Sequence, residues 1–157
     1  MRKILVPIDS TEYDYTFRAV EVAIEVASSC GGDEDPELIL LHVLRSMSGL
    51  PENLMEKEKE LEKRRVNGEF ENIKDLCEEE GIRNVKTVIK DRNSQSKGEV
   101  DYHIIRTAQE ENVDLIVIGS GRIHDGSLGG RIKKAMYGSV TEKVLHEAPC
   151  SILIARI

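Results

Sequence analysis

The sequence predicts an open, doubly wound α/β fold: a five-stranded parallel sheet with helices on both faces. Three observations carry this expectation. Short β-branched runs alternate with longer stretches of helical periodicity along the whole chain. Three of the runs are almost continuously apolar, as strands covered on both faces must be. The segments between them are long enough to hold right-handed helical crossovers between parallel strands. At 157 residues, one domain over 1–157 is expected, large enough to fold without disulfides or a structural metal.

The first strand is read at Lys3 to Ile8 (KILVPI). In the helix that follows, Thr11 to Ser29, Phe17, Val20, Ala23, Ile24 and Ala27 recur at three-to-four spacing, and Gly31-Gly32 stops it. Glu37 to Leu44 (ELILLHVL) is the second strand. A helical stretch from Asn53 to Glu80 comes next, with an interruption expected near Asn67-Gly68 and an end at Gly81. Val85 to Ile89 is the third strand, Asp101 to Glu111 the third helix with Ile104, Ile105 and Ala108 on one face, and Asp114 to Ile118 the fourth strand. Val140 to Glu147 forms the last helix, Pro149 bars its continuation, and Ser151 to Ala155 is the fifth strand. Arg45 to Glu52 and the polar Asp91 to Lys97 read as loops. The run EKEKELEKRR, Glu56 to Arg65, alternates in sign and reads as a solvated helix face.

Composition narrows the function. Twenty-two Lys and Arg stand against 29 Asp and Glu, a net charge of −7, which argues against nucleic acid as a partner because phosphate neutralisation needs a basic face. No apolar run approaches the ~20 residues of a membrane span, and MRKILVPIDS has no long apolar segment of a signal peptide, so a cytoplasmic protein without a membrane partner is expected. Cys30, Cys77 and Cys150 show no paired spacing and read as small hydrophobes. The histidines, 42, 103, 124 and 146, form no metal-ligand pattern, so no metal site is expected.

In an open α/β sheet the ligand crevice lies beyond the carboxyl ends of the strands, where strand order reverses. The strand ends carry Pro7-Ile8-Asp9, His42-Val43 and Gly119-Ser120-Gly121. Six of the 12 glycines fall between Gly119 and Ser139. There Ser139-Val140-Thr141-Glu142 has the form of a capping box, opening a helix whose free N–H groups favour an anion. The charge also changes sign: net −10 before Gly119 and +3 from it onward. Glycines, a helix N-terminus and basic residues together point to a phosphate cradle. The dinucleotide G-x-G-x-x-G fails because His124 replaces its last glycine, and Gly121 to Ser127 has Walker spacing without the lysine. A receiver-type acidic pair fails because Ile8 leaves Asp9 without an adjacent acid.

These residues resemble the universal stress protein family nearly end to end: KILVPID, ILLHV, A-x-E-E-N-V-D-L-I-V-I-G-S and the closing YGSVTEKVLHEAPCSILIAR. The resemblance implies strand order 3-2-1-4-5, a homodimer pairing last strands, and in one branch an ATP or AMP site, with Mg²⁺ accompanying ATP. It implies that Asp9 meets the base or ribose, with Pro7 and Ile8 lining the pocket and Val43 offering backbone groups to the base edge. Ile118 and Gly119 then open the phosphate loop, and Gly138, Ser139, Val140 and Thr141 hold phosphates. That branch carries G-x2-G-x9-G-[S/T]. Here eighteen residues separate Gly119 from Gly138, six more than the signature spans, and Gly129 serves only with the spacing G126-x2-G129-x8-G138. The function expected is therefore an adenine-nucleotide-binding stress-response regulator, a homodimer with at most slow ATP hydrolysis. The alternative is a module of the same fold that binds no nucleotide and docks a partner through the 120–130 loop.

Overall fold

A computed structural model of the chain describes residues 2–9, 13–29, 35–45, 49–92, 99–120 and 139–156, with Tyr13, Asp14, Tyr15 and Ser139 described as backbone only. The expectations placed on Gly129, Gly138 and the 120–130 loop beyond Ser120 lie outside them. Nine elements follow in order: β1 (Lys3–Pro7), α1 (Tyr13–Ser29), β2 (Glu37–Val43), α2 (Glu52–Glu79), β3 (Asn84–Lys90), α3 (Val100–Glu110), β4 (Leu115–Ser120), α4 (Ser139–Glu147) and β5 (Ser151–Arg156). The strands form one sheet in the order β3-β2-β1-β4-β5, every neighbouring pair parallel. This is the order the resemblance implied.

Strand periodicity divides the core into two layers. Ile4 and Val6, Leu38 and Leu40, and Val117 point to one face, where Ala19, Ala23 and Ala27 of α1 and Val66, Phe70 and Ile73 of α2 cover them. Their sequence neighbours Leu5, Ile39, Leu41, Ile116 and Ile118 point the other way, onto Ile104 and Ala108 of α3 and Val144 of α4. The three near-continuous apolar runs are the three central strands, β2, β1 and β4, whose interiors are buried except at the half-buried Gly119 of β4. Edge strands β3 and β5 are mostly half-buried. Among its described side chains, helix α1 buries no charged group and uses alanine to lie close against the sheet.

Helix α2 departs from the sequence reading twice. It runs unbroken through Asn67-Gly68. A Cβ at Gly68 would meet nothing within 4 Å, so the glycine serves no tight approach and no turn there. Packing of Val66, Phe70, Ile73 and Cys77 outweighs its ~1 kcal/mol propensity cost. The charged run is also not wholly solvated, because Glu62 is buried. Gly81 ends α2 as expected, at φ +80°. Its N–H donates to the Glu78 carbonyl at 3.0 Å and the Ile82 N–H to the Cys77 carbonyl at 2.8 Å, the paired bonds of a Schellman motif. Ile82, tucked into the core beside Cys77, supplies the accompanying apolar contact.

Candidate functional site

A crevice of about 260 Å³ opens beyond the carboxyl ends of β1, β2 and β4, where β1 lies between strands reached in opposite directions. From the end of β1 it is lined by Pro7, Ile8 and Asp9, from β2 by Val43, from β4 by Ile118 and Gly119, and from the first turn of α4 by Val140 and Thr141. These are eight of the residues named from the sequence, brought together from four elements. Ser139 is the first residue of α4. The other wall is formed by His42, which the sequence offered as a strand end, and by residues that sequence reasoning did not place in the crevice: Thr16 of α1, Arg45 after β2, Arg92 after β3, and Val100 and Ile104 of α3.

The position of Asp9 is set by its neighbours. Its backbone N–H donates to Thr16 Oγ1 at 3.0 Å, and the same hydroxyl is 3.0 Å from the Asp9 carbonyl. One residue earlier, the Ile8 N–H donates to the Leu41 carbonyl at 2.7 Å, continuing the β1–β2 ladder past its last strand residue. The Ile8 carbonyl accepts from His42 Nδ1, also at 2.7 Å. A carbonyl can only accept, so this ring nitrogen carries a proton.

Behind His42 lies a polar network that the sequence conceals. His42 Nε2 is 3.1 Å from Glu62 Oε2. Glu62 also accepts from the Arg45 backbone N–H at 2.9 Å and from Arg45 Nε at 2.9 Å. The Glu62 side chain is fully buried, whereas that of Arg45 is 55% exposed. Burial works to raise the Glu62 pKa, but the hydrogen bonds from Arg45 and His42 outweigh it and hold the carboxyl below the usual carboxylate range. Glu62 thus ties α2 to the end of β2, and through His42 to the backbone that presents Asp9. The signal was present in the sequence. Stepping back one helical turn along the stripe Cys77, Ile73, Phe70, Val66 lands on Glu62.

In α3, which supplies Val100 and Ile104 to the crevice, His103 is 8% exposed. Burial, reinforced by the positive charges of Lys90 and Arg92, holds its pKa below the usual histidine range. The two described cysteines are poor nucleophiles: burial pushes Cys77 up to about 11 and raises Cys150 as well. Among the described residues no three His, Cys, Asp or Glu side chains come together as metal ligands. None of the described helices is long and apolar enough to cross a membrane.

The sequence profile of the universal stress protein family matches residues 1–156. The chain belongs to this family. Universal stress protein YxiE of Bacillus subtilis is 30% identical over 164 residues, covering 98% of each chain. A universal stress protein of Methanocaldococcus jannaschii is 28% identical over 173 residues, covering 99% of this chain and 94% of the relative. The solved structure of that archaeal protein superimposes with a TM-score of 0.71 at 27% identity, over 99% of this chain and 96% of that one. Two more distant universal stress protein structures share the fold. One, from Arabidopsis thaliana, has AMP bound (TM-score 0.66, 21% identity, 99% of this chain and 92% of that one). The other, from Archaeoglobus fulgidus, is in complex with dAMP (TM-score 0.61, 19% identity, 98% and 97%).

Proposed function

We propose that this universal stress protein binds an adenine nucleotide, AMP or ATP, in the β1–β4 crevice and acts as a nucleotide-responsive regulator. The observation that carries the reading is the convergence of Pro7, Ile8, Asp9, Val43, Ile118, Gly119, Val140 and Thr141 on one cavity. Its volume lies just below the roughly 300–1,000 Å³ of small-molecule sites, room for a nucleoside whose phosphates extend toward α4. The Asp9 carboxylate suits ribose hydroxyls, which donate to it. Apolar Ile8, Val43 and Ile118 suit the faces of a base. The first turn of α4, with its free N–H groups and Thr141, suits phosphate oxygens. Gly138 and Ser139 complete the cradle in this reading, Gly129 stands beside them, and Mg²⁺ accompanies ATP. That relatives of the same fold hold AMP and dAMP supports the nucleotide class.

The described walls of the crevice hold no His–carboxylate pair placed to activate water, since His42 is committed to the Ile8 carbonyl and Glu62. Turnover of ATP is therefore expected to be slow. Edge strand β5, outermost beside β4, is the surface proposed for homodimer pairing. Isothermal titration calorimetry with AMP and ATP tests the nucleotide reading. Saturable sub-millimolar binding by the wild type, lost when Gly138 and Ser139 are replaced by bulky residues, is expected. Absence of binding to either nucleotide overturns it and favours the partner-docking module.

A further inference from the structure

Where the end of β3 meets α3, two buried nitrogens have no hydrogen-bond partner, Arg92 Nε and His103 Nε2. Arg92 lines the cavity, as does Arg45 from the adjoining end of β2. The nearby acids are engaged by other cations: Asp91 by Lys59 at 3.1 Å, Glu110 by Arg106 at 3.0 Å, and Asp101 by Lys143 at 4.0 Å. Lys90 adds a further positive charge, shared with Glu110 at 3.8 Å. Two guanidinium groups therefore line one end of a ligand-sized cavity, Arg45 also pairing with Glu62, and the His103 imidazole lies within electrostatic reach of Arg92 and Lys90. We propose that this corner is an anion subsite, in which Arg92 and His103, flanked by Arg45, take a phosphoryl group separate from any held at α4.

The chemistry favours a phosphoryl group over a halide or a carbonyl. A guanidinium presents a planar fork of donors that matches two phosphate oxygens, and Arg92 Nε is one prong of such a fork. A third oxygen remains for the imidazole. The positive surroundings that disfavour a second cation at His103 are the surroundings an anion would neutralise. Taken with the nucleotide reading, on which this extension rests, the ligand class becomes a nucleotide with two separated phosphoryl groups. The subsite by itself requires only phosphate.

Two arms test it. In the first, inorganic phosphate is titrated into the full chain while the His103 ring resonances are followed by NMR. A saturable shift is expected, with its midpoint raised at least tenfold in Arg92→Gln and less in Arg92→Lys. In the second, calorimetry compares AMP with adenosine 3′,5′-bisphosphate, and the bisphosphate is expected to bind about tenfold tighter, an advantage erased in Arg92→Gln. His103 resonances that stay still, or move equally in Arg92→Gln, overturn the subsite. So does a bisphosphate that binds no tighter than an AMP that does bind. If neither nucleotide binds but phosphate moves His103 through Arg92, the nucleotide reading has failed and the subsite stands.

Discussion

Glu62 shows how far one side chain can act from where it sits in sequence. It lies in a run of ten residues with nine charges, yet its carboxylate is buried, accepts from the Arg45 backbone N–H and Nε, and stands 3.1 Å from His42 Nε2. Removing one member of a buried, charge-assisted network costs more than a surface ion pair, because the partners keep their unmet donors. Glu62→Gln keeps the shape but loses the charge, so a loss of about 1–3 kcal/mol is expected in urea denaturation at pH 7. The pH dependence follows from the depressed folded pKa. Above the unfolded value of 4.5 the full contribution is present, and it disappears as pH falls through the lower folded value. The gap between wild type and Glu62→Gln should therefore close in acid, and a gap that persists below that range would show a packing effect instead. Lys74→Gln, which breaks the exposed pair with Glu71 (38% and 70% exposed), should change stability by less than ~1 kcal/mol.

The element scale separates two glycines of one helix end-stretch by their backbone conformation. At Gly68 a Cβ would meet open space and the residue is helical, so Gly68→Ala should stabilise the chain by about 0.5–1 kcal/mol. At Gly81 the space is equally open, but φ is +80°. Gly81→Ala should destabilise by about 1–2 kcal/mol. Paired denaturation curves check both, and equal signs would mean that α2 does not end as described. The same contrast explains what the sequence could and could not disclose. Period-two burial and apolar runs marked the strands, and Gly81 marked a stop, because each of these is decided by a residue's own backbone or by one face. Gly68 misled because propensity is local while Val66, Phe70 and Ile73 hold the helix from the sheet side. Glu62 was hidden for the reverse reason: its alternating-charge neighbours suggest water, and only its phase with Phe70 places it inside. Asp9, Val43, Gly119 and Thr141 were legible as strand ends and a helix start, which topology gathers at one edge. Arg92 was not, since nothing in a polar loop announces that it meets a cavity.

For the whole molecule, the distribution of charge matters more than its sum. The net −7 combines −10 before Gly119 with +3 from it onward, and the crevice is lined from both parts, by the ends of β1 and β2 from the first and by Gly119, Val140 and Thr141 from the second. A long polyanion would have to lie against the acidic part as well, whereas one nucleotide needs only the ends of the strands and of α4. That difference gives a test on the intact protein. A ligand that binds only the folded state at 100 times its Kd adds about 2.7 kcal/mol of stability. For a chain of this size each kcal/mol raises Tm by roughly 2–4 °C. Saturating AMP or ATP should therefore raise Tm by about 5–10 °C in differential scanning calorimetry, with single-stranded RNA at equal phosphate concentration giving no shift. The rise should be smaller in Gly119→Val, where a branched side chain intrudes between β4 and the ligand. An unshifted Tm with every nucleotide, or an equal rise with RNA, would mean that the crevice does not select a single nucleotide and that the charge division has another cause.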